Sequence, residues 1–301
     1  MIAHPLPPLP PDAWESSKQT LHLYAQIVGK IRMALMPERN HWWHVTLYVS
    51  SRGLTTRPIP YNGMTFEIMF DFIDHNLIVA TNHGESRSMA LHGQPVAEFY
   101  AELFSMLGSL GIDVAIRALP YDTQSTIPFA EDHEHASYDA EYVRRYWEIL
   151  SWIEGVFWEF NGRFVGKTTP VHLFWHSFDL ATTRFSGRPA PPMEGANHVT
   201  REAYSHEVVS FGFWAGDPNT REPAFYSYVW PEPEGLRETP LQPDGARWIE
   251  QRGGSLALYP YETLRSADDP RKALLDFLES SYIAGATLAG WDIEGLRHVE
   301  V

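Results

Sequence analysis

Two stretches decide how this chain is read. Trp42–Pro60 runs W-W-H-V-T-L-Y-V-S-S-R-G-L-T-T-R-P-I-P, and Val171–Pro191 runs V-H-L-F-W-H-S-F-D-L-A-T-T-R-F-S-G-R-P-A-P. Both pass from a His-led aromatic segment to T-T-R and on to proline. Each follows a long amphipathic helical pattern and precedes a strand pattern containing a glutamate. Thr65-Phe66-Glu67-Ile68 then lies opposite Ser205-His206-Glu207-Val208, which makes Glu67 and Glu207 equivalent, with one gap before T-T-R that a bulge could supply. The pattern points to a duplicated unit, a pseudo-twofold arrangement and a cleft where the halves meet.

Working outward, residues 1–12 read as a Pro-rich arm. Leu21, Tyr24, Ile27, Val28, Ile31 and Leu35 recur at helical spacing, so a helix is expected from about Asp12 to Met36, stopped by Pro37. Trp43, Val45, Leu47 and Val49 alternate with polar neighbours and read as a half-buried strand. Strands are expected over 64–73, 77–81 and 112–119, with a helix opened by Pro95 between the last two. The second half is read as a helix over 140–160, strands over 171–178, 205–214 and 224–230, Pro-rich loops over 186–200 and 231–247, and a helix over 270–288. The expected fold class is α+β: a duplicated α-β-β-β-α unit whose antiparallel sheet is covered by helices. Residues 1–137 form the first repeat and 138–301 the second, together one compact unit.

Composition narrows the function. Residues 1–137 carry 8 Lys/Arg against 14 Asp/Glu and the remainder 15 against 24, giving −6 and −9 of the total −15. Neither half is basic, so nucleic acid and anionic membrane are poor partners, and a small-molecule ligand is expected. No cysteine is present, which excludes disulfides, thiolate metal sites and cysteine nucleophiles. The first residues lack the pattern of a secretory leader, and no apolar run reaches the roughly 20 residues of a membrane span, so the expected location is cytoplasmic. The 11 Trp and 14 His cluster, as in His41-Trp42-Trp43-His44 and Trp175-His176. Aromatics beside histidine suit a ligand cleft, although large rings also simply fill a core.

The candidate chemistry lies in His172, Trp175, His176 and Asp179, with Arg184 beyond them, and in His206-Glu207. These supply proton carriers, carboxylates and a cation, the ingredients of acid–base catalysis or of a metal site. On a helix, which Thr169-Pro170 would open, His172 and His176 could share one metal; the repeat favours a strand, where they stand about 13 Å apart at roughly 3.3 Å per residue, too far to do so. The strand reading instead pairs His176 with His206 from a neighbouring strand, plus a carboxylate. Asp179, His176 and His206 have no counterpart in the first half, where Tyr48, Ser51 and Phe66 lie nearby, and departures from a repeat are where function is expected. Arg57 and Arg184 have a structural reading, as partners of Glu67 and Glu207. Glu131–His135 reads as a solvated acidic loop more readily than as a weak surface metal site. Gly162–Thr168 resembles a phosphate-binding loop but is one residue short and stands in the wrong helix–strand order.

Four segments carry a resemblance: Q-I-V-G-K-I-R (Gln26–Arg32), N-H-W-W-H-V-T-L-Y-V (Asn40–Val49), F-W-H-S-F-D-L (Phe174–Leu180) and Y-S-H-E-V (Tyr204–Val208). They resemble a bacterial family of functionally uncharacterised proteins along nearly the whole chain. The resemblance implies a self-standing protein and assigns no residue a role.

The functional expectation is an enzyme acting on a small molecule in an aromatic cleft between the repeats. His176 is the general base or metal ligand, His206 its partner, and Asp179 or Glu207 the orienting carboxylate. Arg184, His172, His44, Tyr48 and Trp175 are expected to contact substrate. A metal held by His176 and His206 would be zinc or non-haem iron. The alternative is a non-catalytic binding or sensor protein.

Overall fold

The computed structural model describes residues 6–216, 220–251 and 253–298. The long helices fall where hydrophobic period and caps place them. Helix α1 (Pro11–Leu35) starts with proline in its first turn, where the absent N–H is no loss. Helix α2 is Val96–Ser109. Helix α3 (Ala140–Gly162) is capped by Asp139, whose carboxylate accepts from the backbone N–H of Glu141 and Tyr142. A short α4 (His198–Ala203) and α5 (Tyr261–Arg265) precede α6 (Pro270–Leu288), which Asp269 caps through the Lys272 N–H.

The strands build two antiparallel sheets, so the fold is α+β. The first contains β1 (Tyr48–Ser50), β2 (Gly53–Thr55), β3 (Ile59–Tyr61), β4 (Met64–Asp71), β5 (Asn76–Thr81) and β6 (Ser86–Ala90), in the order β1-β2-β4-β5-β6 with β3 also on β4. The second contains β7 (His172–Phe174), β8 (Asp179–Pro189), β9 (His206–Trp214), β10 (Ala224–Trp230), β11 (Arg247–Gln251) and β12 (Gly254–Pro260), in the order β11-β12-β10-β9-β8-β7. Leu47, just before β1, and Leu173 of β7 exchange both backbone hydrogen bonds, at 2.9 and 2.8 Å, and so join the edge of one sheet to the edge of the other.

Several strands differ from the sequence reading. Residues 42–47 form a short 3-10 turn and irregular backbone instead of a strand, with His41 and Trp42 both left-handed at φ 58° and 59°. Residues 171–178 hold only three strand residues; the Phe178 N–H then bonds back to the Phe174 carbonyl at 2.7 Å and closes a tight turn. The residues read as a loop after 186 still belong to β8 as far as Pro189, while 112–119 contains no strand. The glutamate equivalence does not hold in register either. Thr55 pairs with Met69 and Thr182 with Phe211, so aligning the T-T-R segments sets Glu67 against Val209, two residues from Glu207.

One buried apolar cluster runs from Leu6 to Trp291 and takes in both sheets and the long helices. At its centre α1 is buried almost all round from Thr20 to Arg32. Gly29 explains how another chain segment approaches so closely: a Cβ there would sit inside the ring of Trp175. Trp175 is 4% exposed, and its indole N–H donates to the Val45 carbonyl at 2.9 Å. Overpacking of this kind typically costs about 1–3 kcal/mol. Gly29→Ala is therefore expected to lower the urea midpoint by that amount of stability with an unchanged slope. An undiminished midpoint would mean that the ring moves aside freely.

Candidate functional site

Strand periodicity gives the second sheet two different faces. Leu180, Val209, Phe211, Phe213, Phe225 and Val229 join the main core, where α6 packs on β9 and β10 and α3 on β8. The alternate residues point the other way: Asp179, Ala181, Thr183 and Phe185 on β8, Val208, Ser210, Gly212 and Trp214 on β9, and Tyr226, Tyr228 and Trp230 on β10. All of these but Gly212 line a cleft of about 1620 Å³, whose other walls come from α1, Trp42–Trp43, the loop around Tyr121–Ile127 and α4.

Polar groups cross this face in chains. Tyr226 lies over Gly212, where a Cβ would overlap its ring, and so reaches past β9 to donate its hydroxyl to Asp179 on β8. Ser177 donates to the other oxygen of the same carboxylate. Burial, reinforced by the Asp179 charge, raises the Tyr226 phenol well above its ordinary range, which keeps it a donor. Nearby, Tyr204 and Tyr228 share a hydrogen bond at 2.8 Å, as do Thr183 and Ser210 at 2.7 Å. Burial and Tyr204 likewise raise the Tyr228 phenol.

His176 stands on the β7–β8 turn with its side chain 34% exposed. Its Nδ1 is 3.9 Å from Asp122 Oδ2, beyond hydrogen-bond length. The turn itself is held by His22 of α1, whose Nε2–H is shared between the Trp175 and His176 carbonyls at 2.9 and 3.1 Å while its ring stacks on Phe178. Burial lowers the His22 pKa to about 4, so the ring stays neutral. Gln26, one turn along, clamps Tyr121 through both backbone groups, at 2.7 and 2.9 Å.

Of the residues expected from sequence, His176, Asp179 and Trp175 line the cleft, and the rest lie elsewhere. Arg184 is five residues from Asp179 on the same strand, so the two must face opposite ways. It is 1% exposed, donates to the Phe160 carbonyl, packs on the rings of Phe160 and Tyr282, and approaches Glu279 at 3.6 Å. Glu207 pairs with Arg188 at 2.7 Å, and Glu67 accepts from Thr55, so neither forms the expected pair with Arg184 or Arg57. Arg57 instead stacks on Tyr48 at 3.7 Å. Tyr48 and His44 are buried outside the cleft, with His44 Nδ1 accepting the Arg39 N–H. His172 is buried beside Tyr48 and Phe174, and its Nδ1 has no partner among the described residues.

His206 cannot meet His176. It opens β9 opposite Pro189, whereas the β7–β8 turn leads into Asp179 opposite Trp214. Eight residues at roughly 3.3 Å each separate the two ends by about 26 Å. His206 instead packs edge-on against His41, whose Nε2 accepts from Lys167 at 2.8 Å. Among the described residues no three His, Asp or Glu side chains converge as a metal site requires, so the zinc or iron expectation has no ligand set here. In the Glu131–His135 loop Glu131, His133 and Glu134 are exposed, as the solvated reading expects, while Asp132 alone is buried and accepts the Glu134 and His135 N–H groups and the His135 ring.

A family model matches residues 6–298 of the chain, described as a family of unknown function, DUF5996. The chain belongs to the DUF5996 family. No curated protein and no solved structure matches it. Family membership covers both sheets and the whole cleft and assigns no activity to either. Among the described residues, no helix of this DUF5996 protein is long and apolar enough to cross a membrane.

Two expectations follow from the buried groups. Burial holds His172 at about 3, well below its ordinary 6.5, with Arg57 and Arg32 adding to the effect. The folded chain thus binds fewer protons than the unfolded chain between those values. The stability is complete above pH 6.5 and falls as pH drops towards 3, by about 1.4 kcal/mol per pH unit for one histidine. His172→Phe should flatten the slope of unfolding free energy by roughly that much between pH 6.5 and 4.5, measured by urea unfolding at several pH values; an identical slope would contradict this assignment. In Gly212→Ala the Tyr226 ring must lift from β9 and lose Asp179. Stability should fall by about 1–3 kcal/mol, and Tyr226→Leu in the same chain should recover part of it; no recovery would show that the loss has another origin.

Proposed function

We propose that this protein binds a small organic molecule in the cleft over the second sheet. One observation carries the reading: a face of the second sheet bearing Trp214, Tyr226, Tyr228, Trp230 and a set of hydroxyls lines a large cleft. Aromatic walls with a few fixed polar groups are the usual make-up of a ligand site. The volume of about 1620 Å³ exceeds the roughly 300–1000 Å³ of common pockets and suits an extended ligand. The Tyr226–Asp179–Ser177 hydrogen bonds fix the polar end of that surface before anything binds.

A second reading, acid–base catalysis on the bound molecule, is favoured by His176. It reaches the cleft on a turn held by His22, with Asp122 at 3.9 Å to orient the ring if the contact closes on binding. Asp179 is a positioning group in this reading, since both of its oxygens already accept hydroxyl donors.

N-Phenyl-1-naphthylamine, a neutral aromatic fluorophore, tests the binding reading. Its emission should rise on saturable one-to-one binding, and Trp214→Ala should weaken that binding at least fivefold. No binding, or equal binding by Trp214→Ala, would reject the cleft as the site. For the catalytic reading, wild type and His176→Ala are incubated with a small-molecule cell extract, and the extract is profiled by mass spectrometry. A compound consumed only by wild type, while His176→Ala still binds the fluorophore, supports catalysis. Identical profiles favour binding alone.

A further inference from the structure

Lys30 is a cleft residue whose charge neither reading uses. It lies on α1, is 5% exposed, and holds its ammonium 5.3 Å from the Trp175 ring. Among the described residues no carboxylate and no hydrogen-bond acceptor pairs with it. Arg117 lines the same cleft and also has no ion-pair partner among the described residues. Lys18, the remaining lysine of that wall, is occupied by Glu15 at 2.7 Å and the Gly216 carbonyl at 2.8 Å.

The pair is held in one frame. Gln26 stands one turn before Lys30 and grips Tyr121 by its backbone N–H and carbonyl, which ties the segment following Arg117 to α1. The Lys30 stem is buried while its ammonium reaches the cleft, and a partly desolvated cation without a counter-charge is unfavourable. Burial, with Arg117 contributing, lowers the Lys30 pKa accordingly. In a chain with 38 acidic against 23 basic residues, leaving two neighbouring cations without a carboxylate is a specific arrangement.

We propose that Lys30 and Arg117 form the anion subsite of the cleft, and that its ligand is an aromatic organic acid whose acidic group sits between them. The rings of Trp175 and Trp214 and the tyrosines of β10 offer apolar surface for the rest of the molecule. The proposal rests on the cleft reading above. It also predicts a preference that runs against the net charge of −15, which repels anions from the protein as a whole.

The test compares 8-anilinonaphthalene-1-sulfonate with N-phenyl-1-naphthylamine, the same ring system without the acidic group. Wild type should bind the sulfonate at least tenfold more tightly. Lys30→Met keeps the stem against Trp175 and should bring the two affinities within about twofold by weakening only the sulfonate. Arg117→Met, an exposed position, should act in the same direction and serves if Lys30→Met does not fold. Lys272→Met, on the exposed face of α6, should leave the preference intact. Displacement of the sulfonate by 1-naphthoate and by 1-naphthyl phosphate then separates carboxylate from phosphate ligands. Equal affinities in wild type, or a preference that survives both Lys30→Met and Arg117→Met, would overturn the anion subsite while leaving the cleft. Failure of both fluorophores to bind would remove the cleft reading and this subsite with it.

Discussion

The indole of Trp175 holds three separate parts of the chain in place. Its ring lies on α1 where Gly29 leaves room, and its N–H reaches the Val45 carbonyl. Two residues on either side, Leu47 and Leu173 exchange backbone hydrogen bonds between the sheets. Displacing the indole would therefore loosen the central helix, the junction of the sheets and the turn that carries His176 together. His22 reinforces the same turn from α1, and Lys30 presents its ammonium beside the same ring. The corner of the cleft is thus defined by a packing contact more than by any charged group.

Across the cleft floor, the governing constraint is strand parity. Asp179, Thr183 and Phe185 face the cleft because β8 is regular there; Thr182 and Arg184 must then face the helices, where Asn161 and the Phe160 carbonyl receive them. An arginine buried in that layer needs rings and a carbonyl around it. Phe160, Tyr282 and the end of α3 supply them. Gly212 relaxes the constraint at one point only. By carrying no side chain it lets Tyr226 span an intervening strand, so three strands are bound together by a carboxylate and a phenol as well as by their backbones.

How much of this could be read from the sequence depends on the range of the interaction. Helices α1, α2, α3 and α6 follow from apolar spacing and from Pro or Asp at their starts, and β9 and β10 from alternation. The aromatic runs at 42–50 and 171–178 mislead for a physical reason. Alternating rings mimic a strand, yet His41 and Trp42 take left-handed backbone and the Phe174–Phe178 turn folds on itself. Strand β8 was hidden by the Gly and Pro residues near its end. At the site, His176, Asp179 and Trp175 stand out locally. Tyr226, Tyr228 and Ser210 are also present as alternate residues of readable strands. The reach of Tyr226 over Gly212, the His22 clamp and the unpaired Lys30 depend on register and burial, which one sequence does not encode locally. The same holds for the separation of His206 from His176, which the length of β9 imposes.

The burial of α1 has a consequence for biosynthesis. This helix is made early, but the tryptophan that fills its Gly29 notch and the helix α3 that packs on it come much later in the chain. At roughly 5–20 residues per second, the interval between residues 32 and 175 lasts about 7–29 s. The Gly29 notch stays open for that whole interval, and α3, complete only at residue 162, arrives late in it. A nascent chain of this protein is therefore a natural client for the chaperones that shield emerging hydrophobic helices.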